Sequence, residues 1–189
     1  KADPRLTPDF IFCQEVLFQR RGALDNTAAV LAKELGYHVR GTKRTSDREG
    51  IAIVSKYPIE YYDSINLKSQ TSALLLGFRR VSTMAETTVP GVGRVRLVNV
   101  HFTNWGFEQR VRTNQLRETL EWAAARERQA PAALTFLAGD FNAEPDHSEM
   151  ALVKDRAVTG PLSSRRSPTT SRPTPASRPT SSSARRCCS

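Results

Sequence analysis

Cysteine is scarce in this chain. There are three thiols in 189 residues: Cys13 inside an apolar run, and the adjacent pair Cys187 and Cys188. That spacing offers neither a disulfide framework nor a zinc-binding set, and Cys13 reads as ordinary core packing. Long apolar runs are missing as well. No stretch approaches the roughly 18 apolar residues of a membrane span, and the opening KADPRLTPDFIF has no signal-peptide or transit-peptide pattern. The expectation is a soluble monomer in a compartment that the sequence leaves open, with the cytoplasm favoured. Histidine is as rare as cysteine: His38, His101 and His147.

Acidic residues are absent from one part of the chain, which changes the meaning of its net charge of +9. Residues 160–189 hold six arginines, no lysine and no acid, and leave the remainder at only +3. A basic nucleic-acid surface therefore cannot be argued from the overall pI. The same segment has nine serines, five prolines, four threonines and no aromatic residue. With almost nothing to bury it cannot offset the entropy of ordering. Two domains of behaviour are expected: a folded domain over 1–157 and a disordered Ser/Arg/Pro/Thr-rich tail over 158–189. The tail reads as a basic arm for nucleic acid or an anionic surface, as a solvated segment without a partner, or as sequence foreign to the domain through a frame change near Ala157.

What precedes the tail has the size and pattern of a domain. Residues 9–16, DFIFCQEV, form a short apolar run bounded by polar groups, the pattern of a buried strand. LDNTAAVLAKELG predicts a helix, with Asp25 or Asn26 as cap and Gly36 as stop. Strands are predicted over EGIAIVSKYPI (49–59), IEYYDSINL, SALLLGFRRVST and, after a turn at VPGVG, RVRLVNVHF (94–102). The last of these puts Val95, Leu97, Asn99 and His101 on one side. An amphipathic helix over 107–129 carries Val111, Leu116, Leu120 and Ala123 as its apolar stripe. A strand at 134–138 and a helix starting within DHSEMALVK follow. Strands alternating with helices imply an α/β architecture of layered sheets and helices.

Three of the apolar runs end in polar residues of the types catalysis uses. One runs into Gln14-Glu15, one carries Asn99 and His101 into Thr103-Asn104, and one ends in LTFLAGDFNAEPD with Asp140 and Asn142. Taken singly, each has a bland alternative: a solvated glutamate, a half-buried histidine, an Asx turn holding its own backbone. Taken together they point to one rim, because in layered α/β folds ligands bind outside the carboxyl ends of strands.

FCQEV, GIAIVSKYPI, LVNVHF and FLAGDFNAEPD occur in an order and rough spacing that resembles the endonuclease/exonuclease/phosphatase superfamily, also called DNase I-like. The likeness runs over about 9–153, and RTNQLRETL is similar to the Arg-x-x-Gln helix of many members. It implies a four-layer α/β sandwich of two packed sheets flanked by helices. It also implies hydrolysis of a phosphoester (in nucleic acid, a nucleotide or a phospholipid headgroup) with a divalent metal, Mg2+ or Mn2+. By matched motif, Glu15 would be the metal ligand and Asp140 would orient or deprotonate the attacking water. Asn142 and His101 would hold the phosphate oxygens. Trp105 or Phe107 would be placed to stack on a base or a headgroup, or to pack under the following helix.

The pattern departs from the family at both ends. No opening strand ending in asparagine precedes residue 9, and no closing Ser-Asp-His occurs. The expectation is an incomplete domain with a recognisable half-site and little or no turnover, since general acid–base help is typically worth about 10²–10⁴-fold. The alternative is a non-catalytic binding module of the same fold, its basic tail touching nucleic acid or an anionic surface.

Overall fold

Along GIAIVS the pleat sends successive side chains to opposite faces. In the computed structural model Ile53 enters one apolar layer, while Ala52 and Val54 enter another. All three are fully buried, which marks a strand covered on both sides. The structure describes residues 7–18, 27–44, 48–68, 79–104 and 109–154. Within them β1 (Phe10–Leu17), β3 (Glu49–Ser55) and β2 (His38–Lys43) form an antiparallel sheet in the order β1-β3-β2. A second sheet has the order β4-β5-β6-β7, from β4 (Tyr61–Asn66), β5 (Val81–Val89), β6 (Gly93–His101) and β7 (Leu134–Asp140). Its one parallel pair is β6 with β7, joined by the long crossover helix α2 (Gln109–Gln129).

The sheets pack face to face through β3 against β5 and β6. Ile53, Ala85, Val95 and Leu97 fill the layer between them. Helix α1 (Thr27–Leu35) closes the outer face of the first sheet, where Ala28 and Ala32 meet Val16, Phe18, Ala52 and Val54. Helix α2 closes the outer face of the second, with Leu116 against Met84, Val98, Val100 and Phe102. The result is the expected four-layer α/β sandwich, and no described helix is long and apolar enough to cross a membrane.

Local expectations hold with some shifts. Gly36 ends α1 at φ 69°, and Gly91 (77°) and Gly93 (99°) turn the β5–β6 hairpin. Strand β3 stops at Ser55, four residues short of Ile59. Ser55 Oγ bonds both the N–H (3.1 Å) and the carbonyl (2.8 Å) of Tyr57, so a turn starts before Pro58 is reached. Strand β2 was not anticipated; HVRGTK lacks a clean alternation, and pairing with β3 decides it. The region DHSEMALVK forms a 3-10 turn at Ser148–Met150 and a short helix α3 (Ala151–Lys154). The expected caps Asp25 and Asn26, the first part of SALLLGFRRVST, Trp105, Phe107 and the 158–189 tail lie outside the described residues.

Candidate active site

The parallel register of β6 and β7 sets His101 opposite Asp140. The ladder continues past the strand ends, since Phe102 N–H donates to the Asp140 carbonyl (2.9 Å). Asp140 Oδ1 accepts the Asn142 backbone N–H (2.8 Å), and Asn142 Nδ2 donates to the Phe102 carbonyl (2.9 Å). The acid, the amide and the histidine therefore sit on one small, cross-tied rim. Only glycine fits just before it. Gly139 has φ 131°, and a Cβ there would lie 2.1 Å from the Val100 carbonyl and 2.8 Å from Asn99 Oδ1.

Glu15 reaches the site from the other sheet. The β1–β3 register shifts between Cys13 and Val16, so Gln14 and Glu15 form a bulge, the device that re-aims a side chain at a strand end. Among the described residues the non-glycine positions with positive φ are Glu15 (54°) and Asn142 (49°). Asparagine tolerates that region, but glutamate occupies it at a cost of order 1 kcal/mol or more. The two strained positions are thus the acid and the amide that the sequence motifs single out.

Electrostatics joins the two halves through arginines. Arg80 and Arg44 are both buried, and Arg44 pairs with Glu49 at the start of β3. Burial pushes the Arg80 guanidinium down to about 10. The Arg44 charge adds to the push, while the carboxylates of Asp140, Glu15 and Glu49 oppose it. The charges of Glu15 and Asp140 are thus both felt at Arg80. His101 feels the same field: burial first, then the Arg80 charge, push its imidazole down to about 4, against the pull of Asp140 and with help from Arg44. At neutral pH His101 is uncharged. Its Nδ1 is buried without a hydrogen-bond partner among the described residues. Its Nε2 lies 3.8 Å from Asp140 Oδ2, too far for a hydrogen bond.

Sequence motifs did not single out Arg80 and Arg44, because nothing in their local context separates them from the other 26 basic residues. The Arg-x-x-Gln pattern of α2, by contrast, was visible in the sequence, and here it forms a buried polar grip. Arg112, Gln115 and Thr119 are buried alongside Leu116. Gln115 Oε1 accepts the Thr103 N–H (3.1 Å) just beyond His101. Arg112 Nε donates to the buried Glu149 (2.9 Å) downstream of Asn142. Burial pushes the Glu149 carboxyl up, but its own backbone N–H, Gln109 and Arg112 outweigh that and hold it below the usual range. The other histidines lie elsewhere: His38 begins β2, and His147 Nδ1 accepts the Glu144 N–H (3.2 Å).

No three His, Cys, Asp or Glu side chains among the described residues gather into a ready-made metal cage. The exposed carboxylates of Glu15 and Asp140 are hard oxygen donors. In kind and number they suit Mg2+, which keeps several of its waters and takes one or two carboxylates.

Solved structures share this fold. Truncated TDP2 of Caenorhabditis elegans is similar at 25% identity and a TM-score of 0.56, over 72% of this chain and 50% of that one. The human Nocturnin catalytic domain, solved with a bound sulfate anion, gives 19%, 0.61, 76% and 55%. TDP2 of D. rerio, complexed with a single-strand DNA product, gives 21%, 0.54, 78% and 52%. The chain thus spans about half the length of these structures. No curated protein matches its sequence significantly. The profile of the Endonuclease/Exonuclease/phosphatase family matches residues 2–186. With that match over nearly the whole sequence, and the sandwich and strand-end motifs above, the chain belongs to the Endonuclease/Exonuclease/phosphatase family.

Proposed function

We propose that this chain carries the phosphate-side half of a divalent-metal-dependent phosphoester hydrolase and, on its own, turns over slowly. The observation that carries this reading is the coincidence of backbone strain with the motif residues at Glu15 and Asn142, on strand ends from two different sheets. Glu15 would hold the metal, Mg2+ or Mn2+, which supplies charge neutralisation at the phosphoryl oxygens when bound. Asp140 is exposed, placed to orient a water or take its proton. His101 and Asn142 face the phosphoryl oxygens as neutral donors. Arg80 adds a fixed positive charge, the electrostatic stabilisation that phosphoryl transfer depends on.

Slow turnover follows from the histidines present. His101, held neutral and buried, is the one beside Asp140, while His38 begins β2 and the His147 Nδ1 accepts the Glu144 N–H. In this reading none of the three histidines serves as general acid for the leaving group. The substrate is a phosphoester of nucleic acid, a nucleotide or a phospholipid headgroup. The single-strand DNA product held by D. rerio TDP2 makes single-stranded DNA the first to try. With a generic phosphodiester and Mn2+, the purified chain is expected to hydrolyse close to background. Brisk Mn2+-dependent turnover abolished by Asp140→Ala overturns the slow half of the proposal. Failure of Glu15→Gln to weaken Mn2+ binding overturns the metal half.

The six arginines of 160–189 motivate a second reading, a binding module whose tail contacts nucleic acid or an anionic surface. Steeply salt-dependent DNA binding that flattens on deleting 160–189 supports it. Binding that ignores the deletion removes it.

A further inference from the structure

Asn99 stands two residues before His101 on β6, yet its side chain has no part in the roles assigned above. It is wholly buried, on the face of β6 that looks toward the first sheet. Its amide is used at both ends. Nδ2 donates to the carbonyls of Cys13 (3.1 Å) and Ala52 (2.9 Å), and Oδ1 accepts from Gln14 Nε2 (2.7 Å). Cys13 and Ala52 are the last residues paired in regular register before the bulge. The amide therefore grips the backbone where the ladder breaks, and holds the side chain of the first bulged residue. On its other side it meets Gly139, where even a Cβ would come within 2.8 Å of Oδ1.

A side chain that served only to fill the space between sheets would be apolar, as Leu97 and Val95 are on the same face of β6. A buried amide is tolerable only when fully bonded, and this one finds its partners on the segment that must be held out of register. We propose that Asn99 is a positioning residue for Glu15. By clamping Cys13, Gln14 and Ala52 it keeps the bulge in the conformation that aims the Glu15 carboxylate into the site. Through its contact with Gly139 it keeps that carboxylate in step with Asp140. This rests on the reading of Glu15 as metal ligand.

The test uses the full chain, Mn2+ as probe, and two readouts besides turnover: Mn2+ affinity from the paramagnetic resonance of the free ion, and amide hydrogen exchange over 13–16. Asn99→Leu removes all three bonds at similar volume. Gln14→Leu removes one and is the milder variant should the first fold poorly. Ser82→Ala breaks the buried Ser82–Thr119 hydroxyl bond (2.8 Å) elsewhere in the second sheet and controls for general destabilisation. The expected result is Mn2+ affinity about tenfold weaker in Asn99→Leu, a smaller loss in Gln14→Leu, faster exchange over 13–16 in both, and unchanged affinity in Ser82→Ala. Folded Asn99→Leu and Gln14→Leu variants with parental affinity and exchange overturn the proposal, as does an equal loss in Ser82→Ala. If Glu15→Gln abolishes Mn2+ binding while the Asn99 and Gln14 variants retain it, the positioning role alone falls. If Glu15→Gln changes nothing, the metal reading falls and the positioning role with it.

Discussion

Glu15 shows how a single residue can be placed against its own preference. A glutamate in the left-handed region is about 1–2 kcal/mol worse off than in a strand, and its side chain points to solvent rather than into a compensating core. Glycine has no such penalty, although its flexible unfolded state returns part of the gain. Glu15→Gly is expected to leave stability unchanged or raise it by up to ~1 kcal/mol in urea unfolding, while weakening Mn2+ binding. A clear loss of stability would show that the carboxylate has a structural task. His101 makes a second prediction at this scale. Its folded pKa of about 4 lies below the ordinary 6.5, so the native state takes up the proton less readily than the unfolded chain. Its contribution is complete above about pH 6.5 and is lost as pH falls toward 4, on the order of 3 kcal/mol in all. Replacing His101 with Gln should flatten the stability profile across that window. An equally steep fall in the variant assigns the effect to other groups.

Helix α2 is anchored at both ends by buried charge. At its C-terminal end Glu86 of β5 takes Arg96 Nε (2.9 Å) together with Arg126 Nε (3.0 Å) and Nη2 (2.7 Å). Arg96 also pairs with Glu127, and Arg126 lies 3.8 Å over the Tyr61 ring. At its N-terminal end Arg112 and Gln109 hold Glu149. Removing one member of a buried pair strands the other charge, at a cost of about 3–5 kcal/mol. Arg112→Ala should therefore destabilise the chain by that amount, whereas Arg117→Ala on the exposed face of α2 should stay within ~0.5 kcal/mol. Burial raises Glu86 and Glu149, but their arginine partners and hydrogen bonds leave both below the usual carboxylate range. Groups shifted down stabilise the fold above their unfolded pKa, and that stability disappears as pH drops through the folded value. Acid unfolding below about pH 4.3 is thus expected to loosen both ends of α2. Exchange of the α2 amides during an acid titration reads this directly.

At the scale of the whole molecule, the described sheets end on the same side. β1 is the last strand of one sheet and β7 of the other, and the two pack together with Phe10 and Phe136 6.4 Å apart. Leu134 (48% exposed) and Phe136 (45%) stand open on β7, a strand with unpaired backbone on its outer edge among the described residues. Such an edge favours association. Phe136→Lys is expected to reduce light scattering at high concentration without lowering the midpoint of unfolding. Unchanged scattering would place the association elsewhere.

Much of this was legible from spacing. Short apolar runs located β1, β3 and β7, and alternation located β6, because burial on one or both faces of a sheet writes itself into the apolar pattern. The residues at their ends, Glu15, His101, Asp140 and Asn142, stood out not singly but because polar ends recur on three separate runs that together match the family's motifs. What the one-dimensional pattern could not carry was anything that depends on the other sheet. HVRGTK became a strand only by pairing with β3, and Asn99 became a clamp only when Cys13 and Ala52 came within reach. Arg80 became a candidate for the site only once the fold brought it within the field of Asp140, Glu15 and Glu49. Local propensity and periodicity depend on neighbours along the chain. Fields, buried hydrogen bonds and a bulge's direction depend on neighbours in space, and those the tertiary structure alone decided.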